Sequence, residues 1–256
     1  MNYNYHTHTY RCHHASGTPE EYIIRAISCG IKFMGFSDHA PFICSNGTES
    51  GYRMPMNEAK NYCNEIKELA EKYKEKLDLK VGYEMEYYPE NFDTMLKTVK
   101  ESGAEYLILG QHFIDDESIA PEHTICETDS IEKLKSYVSR IVDGITSGVF
   151  SYIAHPDIFN YKNEIRAYRQ EMRKICVASR ENAIPLEINF LGIRDGRIYP
   201  NKEFLKLAGE ENSPITFGFD AHSVESAYDG ESLKKAKEAV STYHLNYIGK
   251  PEIIQI

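Results

Sequence analysis

The sequence predicts an α/β fold, a single parallel barrel spanning residues 1–256, on three observations. The chain has 256 residues, with no Pro/Gly/Ser-rich linker, low-complexity tract or internal repeat to divide it, and α/β barrels commonly occupy this length as one domain. Apolar or β-branched runs alternate with longer amphipathic stretches, as repeated βα units require. Histidines and carboxylates recur at the ends of the strand-like runs, and a parallel barrel gathers its C-terminal strand ends onto one rim.

Taken in order, the first strand ends in His6-Thr7-His8. The helix after it is the best marked: Thr18 is placed to cap it, Pro19 takes the first helical position, Glu21 completes a capping box and Gly30 stops it. The second strand ends in Ser37-Asp38-His39, and a helical segment follows over 57–77. Gly82-Tyr83-Glu84 and Gly110-Gln111-His112 end the third and fourth strands, with a helix over 130–146 after the fourth. Ile153-Ala154-His155 ends the fifth, a helix over 164–182 follows, and Glu187-Ile188-Asn189 ends the sixth. Phe219-Asp220-Ala221-His222 ends the seventh, a helix over 226–242 follows it, and an eighth, weaker strand is expected around 245–248.

Six of these seven strands finish on a metal-ligand residue type. In His6-x-His8 and Asp220-x-His222 the two residues are two apart, so in extended chain both side chains project from one face. Each piece alone has a plain reading: an isolated HxH is as often a surface accident, and a lone histidine beside an apolar strand is more often packed than ligating. The conjunction is what needs explaining. Seven of the ten histidines, with Glu84 and Asp220, lie at or just beyond strand ends. Together His6, His8, His14, His39, Glu84, His112, His155, Asp220 and His222 offer enough imidazole and carboxylate for more than one Zn, Mn or Fe ion. His13, His123 and His244 are left as exposed or structural, with His13 in reach of a substrate. Cys12 is expected to be a small packed residue.

Composition narrows the partners. A net charge of -10 argues against a nucleic-acid backbone as ligand, because that needs clustered Lys and Arg. Three divalent ions would outweigh the two carboxylate ligands and make a local anion trap. No apolar run of about 18 residues suggests a membrane span, and the N-terminus lacks an apolar signal core. A cytoplasmic location is expected, with the six scattered cysteines reduced.

The ordered set H-x-H-x5-H, SDHAP, G-x-E, GQH, AHPD and D-x-H resembles the PHP (polymerase and histidinol phosphatase) superfamily, over essentially the whole chain. The resemblance implies a distorted (β/α)7, TIM-like barrel with a trinuclear metal centre at its C-terminal rim. It further implies that His6, His8, Glu84 and Asp220 hold one metal. Glu84 would bridge to a second held by His112 and His155, and His14, His39 and His222 would hold the third. HTHTYRCHHA, GYEMEYYP, YLILGQHFI, AHPDIF and EINFLGIR followed by YP look most like the histidinol-phosphatase branch. Phe219, Phe190 and Leu191 depart from that branch, which more often has small residues there, and are expected to line the pocket.

Two metal ions sharing a site lower the pKa of water between them and neutralise phosphate charge. The expected reaction is therefore hydrolysis of a phosphomonoester by in-line attack, with L-histidinol phosphate, in histidine biosynthesis, as the substrate the resemblance implies. Arg194 is the first candidate for a phosphate clamp, set against an ordinary loop salt bridge, and Arg197 is the second. Asp38 is placed either to orient a ligand, the favoured role, or to protonate the leaving alkoxide. Glu86, Tyr87, Phe113 and the run Asp115-Asp116-Glu117 are candidates to bind the cationic amine and imidazole of the substrate, or else form a solvated face. Two other functions remain: a nucleotide or oligonucleotide phosphoesterase, which the acidity disfavours, and an inert metal-stabilised assembly module, which has no need of nine retained ligands.

Overall fold

The computed structural model describes residues 1–256. Its strands are β1 (Tyr3–Asn4), β2 (Phe33–His39), β3 (Asp78–Met85), β4 (Tyr106–Leu109), β5 (Phe150–Ile153), β6 (Leu186–Asn189), β7 (Pro214–Gly218) and β8 (Asn246–Tyr247). They pair in sequence order, and every pairing is parallel. The helices are α1 (Pro19–Ser28), α2 (Ala59–Tyr73), α3 (Phe92–Ser102), α4 (Ile131–Ser147), α5 (Ile165–Asn182), α6 (Phe190–Asp195), α7 (Lys202–Glu210) and α8 (Gly230–Tyr243). The expected barrel is what forms, including the short eighth strand. Three helices, α3, α6 and α7, lie where the sequence reading placed none.

The ring is distorted where β1 meets β7. At the rim the two are joined by backbone: Thr7 bridges Ala221, the His8 N–H donates to the Ala221 carbonyl at 2.9 Å and the Ala221 N–H to the His6 carbonyl at 3.2 Å. Below the rim side chains replace backbone. The Phe219 N–H donates to Asn4 Oδ1 at 3.0 Å and the Phe217 N–H to the Tyr3 hydroxyl at 3.4 Å. β8 pairs with the base of β7 through Pro214 and Ile215.

Strand alternation sorts the side chains into two layers. Tyr83, Met85, Leu107, Leu109, Leu186, Ile188, Phe217 and Phe219 belong to the large core shared with the helices. Their neighbours Glu84, Tyr106, Ile108, Glu187, Asn189 and Asp220 take the opposite face, inside the ring. Tyr3, Tyr5, Tyr106, Ile108, Tyr152 and Ala154 make a second, smaller cluster. Close packing inside the ring requires two glycines. A Cβ on Gly110 would land on the Glu84 carboxylate, and one on Gly218 would land on that of Glu187.

Candidate metal centre

Glu84, carried on the inner face of β3, is surrounded by imidazole. Its Oε2 lies 3.5 Å from His6 Nε2, 3.4 Å from His8 Nε2 and 3.2 Å from His39 Nδ1. Its Oε1 lies 3.4 Å from His112 Nε2 and 2.8 Å from His155 Nε2. Asp220, just beyond β7, holds Oδ1 at 3.5 Å from His6 Nε2, 3.3 Å from His8 Nε2 and 3.2 Å from His222 Nδ1. His14 sits at the mouth, its ring 5.4 Å from that of His39 and 4.8 Å from that of His222. All nine residues singled out in the sequence therefore meet in one place. Asp220 and His155 hold positive φ angles of 47° and 29°, strained backbone that functional sites retain when the surroundings fix it.

The donor set fits metal ions on its own chemistry. His6 Nε2, His8 Nε2, His39 Nε2, both Glu84 oxygens, Asp220 Oδ1 and His222 Nε2 are buried and make no hydrogen bond. Buried polar atoms are nearly always paired, so a cluster of unpaired ones aimed at each other calls for cations. Subsets such as His6, His8 and Glu84, or His14, His39 and His222, place one donor atom each within 4.8 Å of the others. Burial would raise the carboxyl of Glu84, but the surrounding histidines hold it well below its usual range, and Asp220 likewise. Burial and the neighbouring histidines push His14 down to about 4 and lower His39 strongly. Against the lowering effect of burial, the carboxylates beside them raise His6, His8 and His155, so metal binding at those rings would release protons.

Behind the nine stands a layer of carboxylates that fixes the rings. Glu187 Oε1 lies 2.9 Å from His6 Nδ1, while its Oε2 accepts the His155 N–H at 3.1 Å and the Asn189 amide at 2.8 Å. The same Asn189 amide reaches Asp220 Oδ2 at 3.0 Å. Glu86 Oε1 lies 3.0 Å from His112 Nδ1, and Arg53 grips Glu86 at 2.6 and 2.8 Å. Arg53 is 1% exposed and also donates to Glu117 at 2.8 and 2.6 Å. Asp38 accepts the Thr9 N–H at 3.1 Å, the Thr9 hydroxyl and the His39 N–H at 2.9 Å, with its Oδ1 3.4 Å from His8 Nδ1.

Above the donors opens a cavity of about 430 Å³. Its lining corrects several expectations. Arg197 faces it, while Arg194 does not: Arg194 is drawn aside to Asp229 at 3.1 Å and the Asp220 carbonyl at 3.3 Å. Asp38 is buried and does not line the cavity, where a proton donor to the leaving group would have to stand. Glu86 is enclosed by Arg53 and His112 and cannot meet a substrate; Phe113 and Tyr87 do not reach the lining either. The acidic run is likewise occupied: Asp115 pairs with Arg140, Asp116 accepts the N–H groups of Ser45 and Ser118, and Glu117 holds Arg53. Leu191 lines the cavity, but Phe190 and Phe219 pack on each other at 5.2 Å in the outer core, each filling the space beside the other.

Several residues of the site are not singled out by the sequence, among them Glu187, Tyr52, Tyr199 and His123. Glu187 was available by its inward parity two residues before Asn189. Tyr52, Tyr199 and His123 line the cavity from loops whose course no periodicity reveals, so the expectation of an exposed or structural His123 is corrected.

The ring and its donors define a class, parallel α/β barrels built around a histidine–carboxylate metal centre. The PHP domain matches residues 4–190, and the chain belongs to that family. It is 25% identical over 227 residues to a probable histidinol-phosphatase of Deinococcus radiodurans, covering 85% of each chain. It is 27% identical over 247 residues to the histidinol-phosphatase of Bacillus subtilis, covering 85% of this chain and 92% of that one. Among solved structures it resembles the histidinol phosphate phosphatase of Lactococcus lactis complexed with Zn, L-histidinol and phosphate, with a TM-score of 0.71, 19% identity and coverage of 96% of this chain and 95% of the other.

Proposed function

We propose that this chain is a metal-dependent phosphomonoesterase whose substrate is L-histidinol phosphate, and that residues 1–256 act as one catalytic domain. The observation that carries the reading is the convergence of eight buried or half-buried donors and the exposed His14, many of them without a hydrogen-bond partner, beneath a cavity of small-molecule size. The names of the two curated relatives, each matched over most of its length, support the choice of substrate. β7 and the segment after it lie beyond the family match, yet supply Asp220 and His222, which is why the domain is taken to be the whole chain.

His6, His8, Glu84 and Asp220 would hold one ion; Glu84, His112 and His155 a second; His14, His39 and His222 a third. Such ions acidify water and neutralise the charge of a phosphate ester. The protein's own residues do the rest. Glu187 and Glu86 accept from the outer nitrogens of His6 and His112, which fixes each tautomer and aims the inner nitrogen at the centre. Asp38 steadies His8 and ties the strand end at His39 to the Thr9 turn. Arg197, held by the Tyr199 hydroxyl and Asp195 at 3.1 Å each, presents a fixed cation to the phosphate.

The test is steady-state phosphate release by Mn- or Zn-loaded protein, comparing L-histidinol phosphate with sugar phosphates, nucleotides and short oligonucleotides. The reading expects a kcat/KM for histidinol phosphate at least about a hundredfold above every competitor, a discrimination of about 2.7 kcal/mol. A flat profile or a preference for nucleotides overturns the substrate. No hydrolysis of any small ester, with metal stabilising the fold, would favour the assembly module.

A further inference from the structure

One histidine of the cavity stands outside the metal donor set. His123 lies on the loop between β4 and α4, where it forms an isolated antiparallel bridge with Phe113, and the next residue, Thr124, donates its N–H to the His112 carbonyl at 2.8 Å. The loop is thus tied to the segment that delivers His112. The His123 ring lies 5.3 Å from that of Phe113, 5.6 Å from His112 and 6.2 Å from Tyr52.

Its chemistry is fixed by one bond. His123 Nδ1 accepts the Ile125 N–H at 3.0 Å. A ring nitrogen that accepts an N–H carries no hydrogen, so the imidazole is neutral and its hydrogen is on Nε2. Nε2 has no protein partner, and the side chain lines the cavity together with Arg197. Two donors of different kinds, one a neutral N–H and one a guanidinium, therefore face the same space. Arg197 already pairs with Asp195 and the Tyr199 hydroxyl, and a further acceptor that meets both it and His123 needs several oxygens, as an ionised phosphate has. His112, whose ring is 5.6 Å from that of His123, is one of the donors proposed for the second ion, so an ester bound by that ion would come within reach of His123.

We propose that His123 is a substrate-binding residue, its Nε2–H donating to one non-bridging phosphate oxygen while Arg197 binds another. The inference rests on the phosphomonoesterase reading above and adds to it a specific anion contact that no metal supplies.

The experiment uses metal-loaded protein freed of excess ions, in wild-type, His123→Phe and His123→Gln forms. Phenylalanine keeps the ring packing against Phe113 and Tyr52 and removes the donor; glutamine restores an N–H of similar reach. Three quantities are read: bound metal by elemental analysis, the Kd of inorganic phosphate by calorimetry, and kcat and KM for L-histidinol phosphate. The proposal expects full metal in both variants, phosphate binding about tenfold weaker in H123F, the loss of kcat/KM carried mainly by KM, and substantial recovery in H123Q. Wild-type phosphate affinity in fully metallated H123F overturns it and leaves His123 a packing residue. Loss of metal from H123F also overturns it, assigning His123 to the support of His112. Should the wild-type protein bind phosphate yet leave histidinol phosphate intact, the substrate reading fails separately, and the phosphate affinities still decide the role of His123.

Discussion

Glu84 shares its two oxygens among five imidazoles within 3.5 Å, so it has no substitute. Glu84→Gln is expected to abolish phosphate release and lower bound metal per chain, read together by activity assay and elemental analysis; an active, fully metallated variant would remove Glu84 from the centre. Glu187→Gln should be milder, weakening metal affinity by about 10–100-fold, measured by chelator competition. The Glu86 carboxyl yields a pH prediction. Burial would raise it, but Arg53 and His112 hold it down at about 2, against 4.5 for a free side chain. A depressed carboxyl stabilises the fold fully above its unfolded pKa and loses that contribution as pH falls through the folded one. Between pH 4.5 and pH 2 the metal-free chain should therefore lose up to about 3 kcal/mol through this group, and Glu86→Gln should flatten that part of the urea-unfolding profile. The nine donors were legible because residue type and strand-end position suffice to find them. Arg53 was not: its partners Glu86 and Glu117 lie 33 and 64 residues away, and only the folded chain shows that the three are one chain of charges behind His112.

Element by element, legibility followed length and capping. α1 carries all its signals locally: the Thr18 side chain accepts the Glu21 N–H, Glu21 reaches back to the Thr18 N–H and Pro19 opens the first turn. Thr18→Ala should cost about 1 kcal/mol of unfolding free energy and leave metal content unchanged; a loss of metal would contradict the separation of this helix from the centre. The helices missed, α3, α6 and α7, are three of the four shortest, and α1, one residue shorter than α3, is found by its capping box. α6 and α7 offer few apolar positions at helical spacing, too few to distinguish from chance, whereas α3 carries Phe92, Met95, Leu96 and Val99 at that spacing, a signal that was there to be read. In α6 the apolar run Phe190-Leu191-Gly192 also hides the start. Asn189, read only as the end of a strand, is the N-cap, accepting the Gly192 N–H at 3.1 Å. The strand ends were placed to within a few residues, since β4, β5 and β7 stop before their donors and turns carry His112, His155 and Asp220 inward.

For the molecule as a whole, the seam between β1 and β7 links the two ends of the chain and brings His6 and His8 to Asp220 and His222. Its lower part depends on side chains, and that irregularity follows from no periodicity in the sequence. Asn4→Ala leaves the Phe219 N–H buried and unpaired, with an expected cost of about 1–3 kcal/mol and a weaker hold on metal, because Phe219 directly precedes Asp220; a variant with unaltered stability would place the closure elsewhere. No helix is long and apolar enough to cross a membrane, and the net charge of -10 surrounds a centre that ions would make locally positive. The most direct measurement is reactivation of the metal-free protein, recording phosphate release from L-histidinol phosphate as Mn or Zn is added in stoichiometric steps. The account predicts negligible activity without metal and a rise that levels off at about three ions per chain, the capacity of the three donor sets. Full activity in metal-free protein, or a plateau after a single ion, would contradict it.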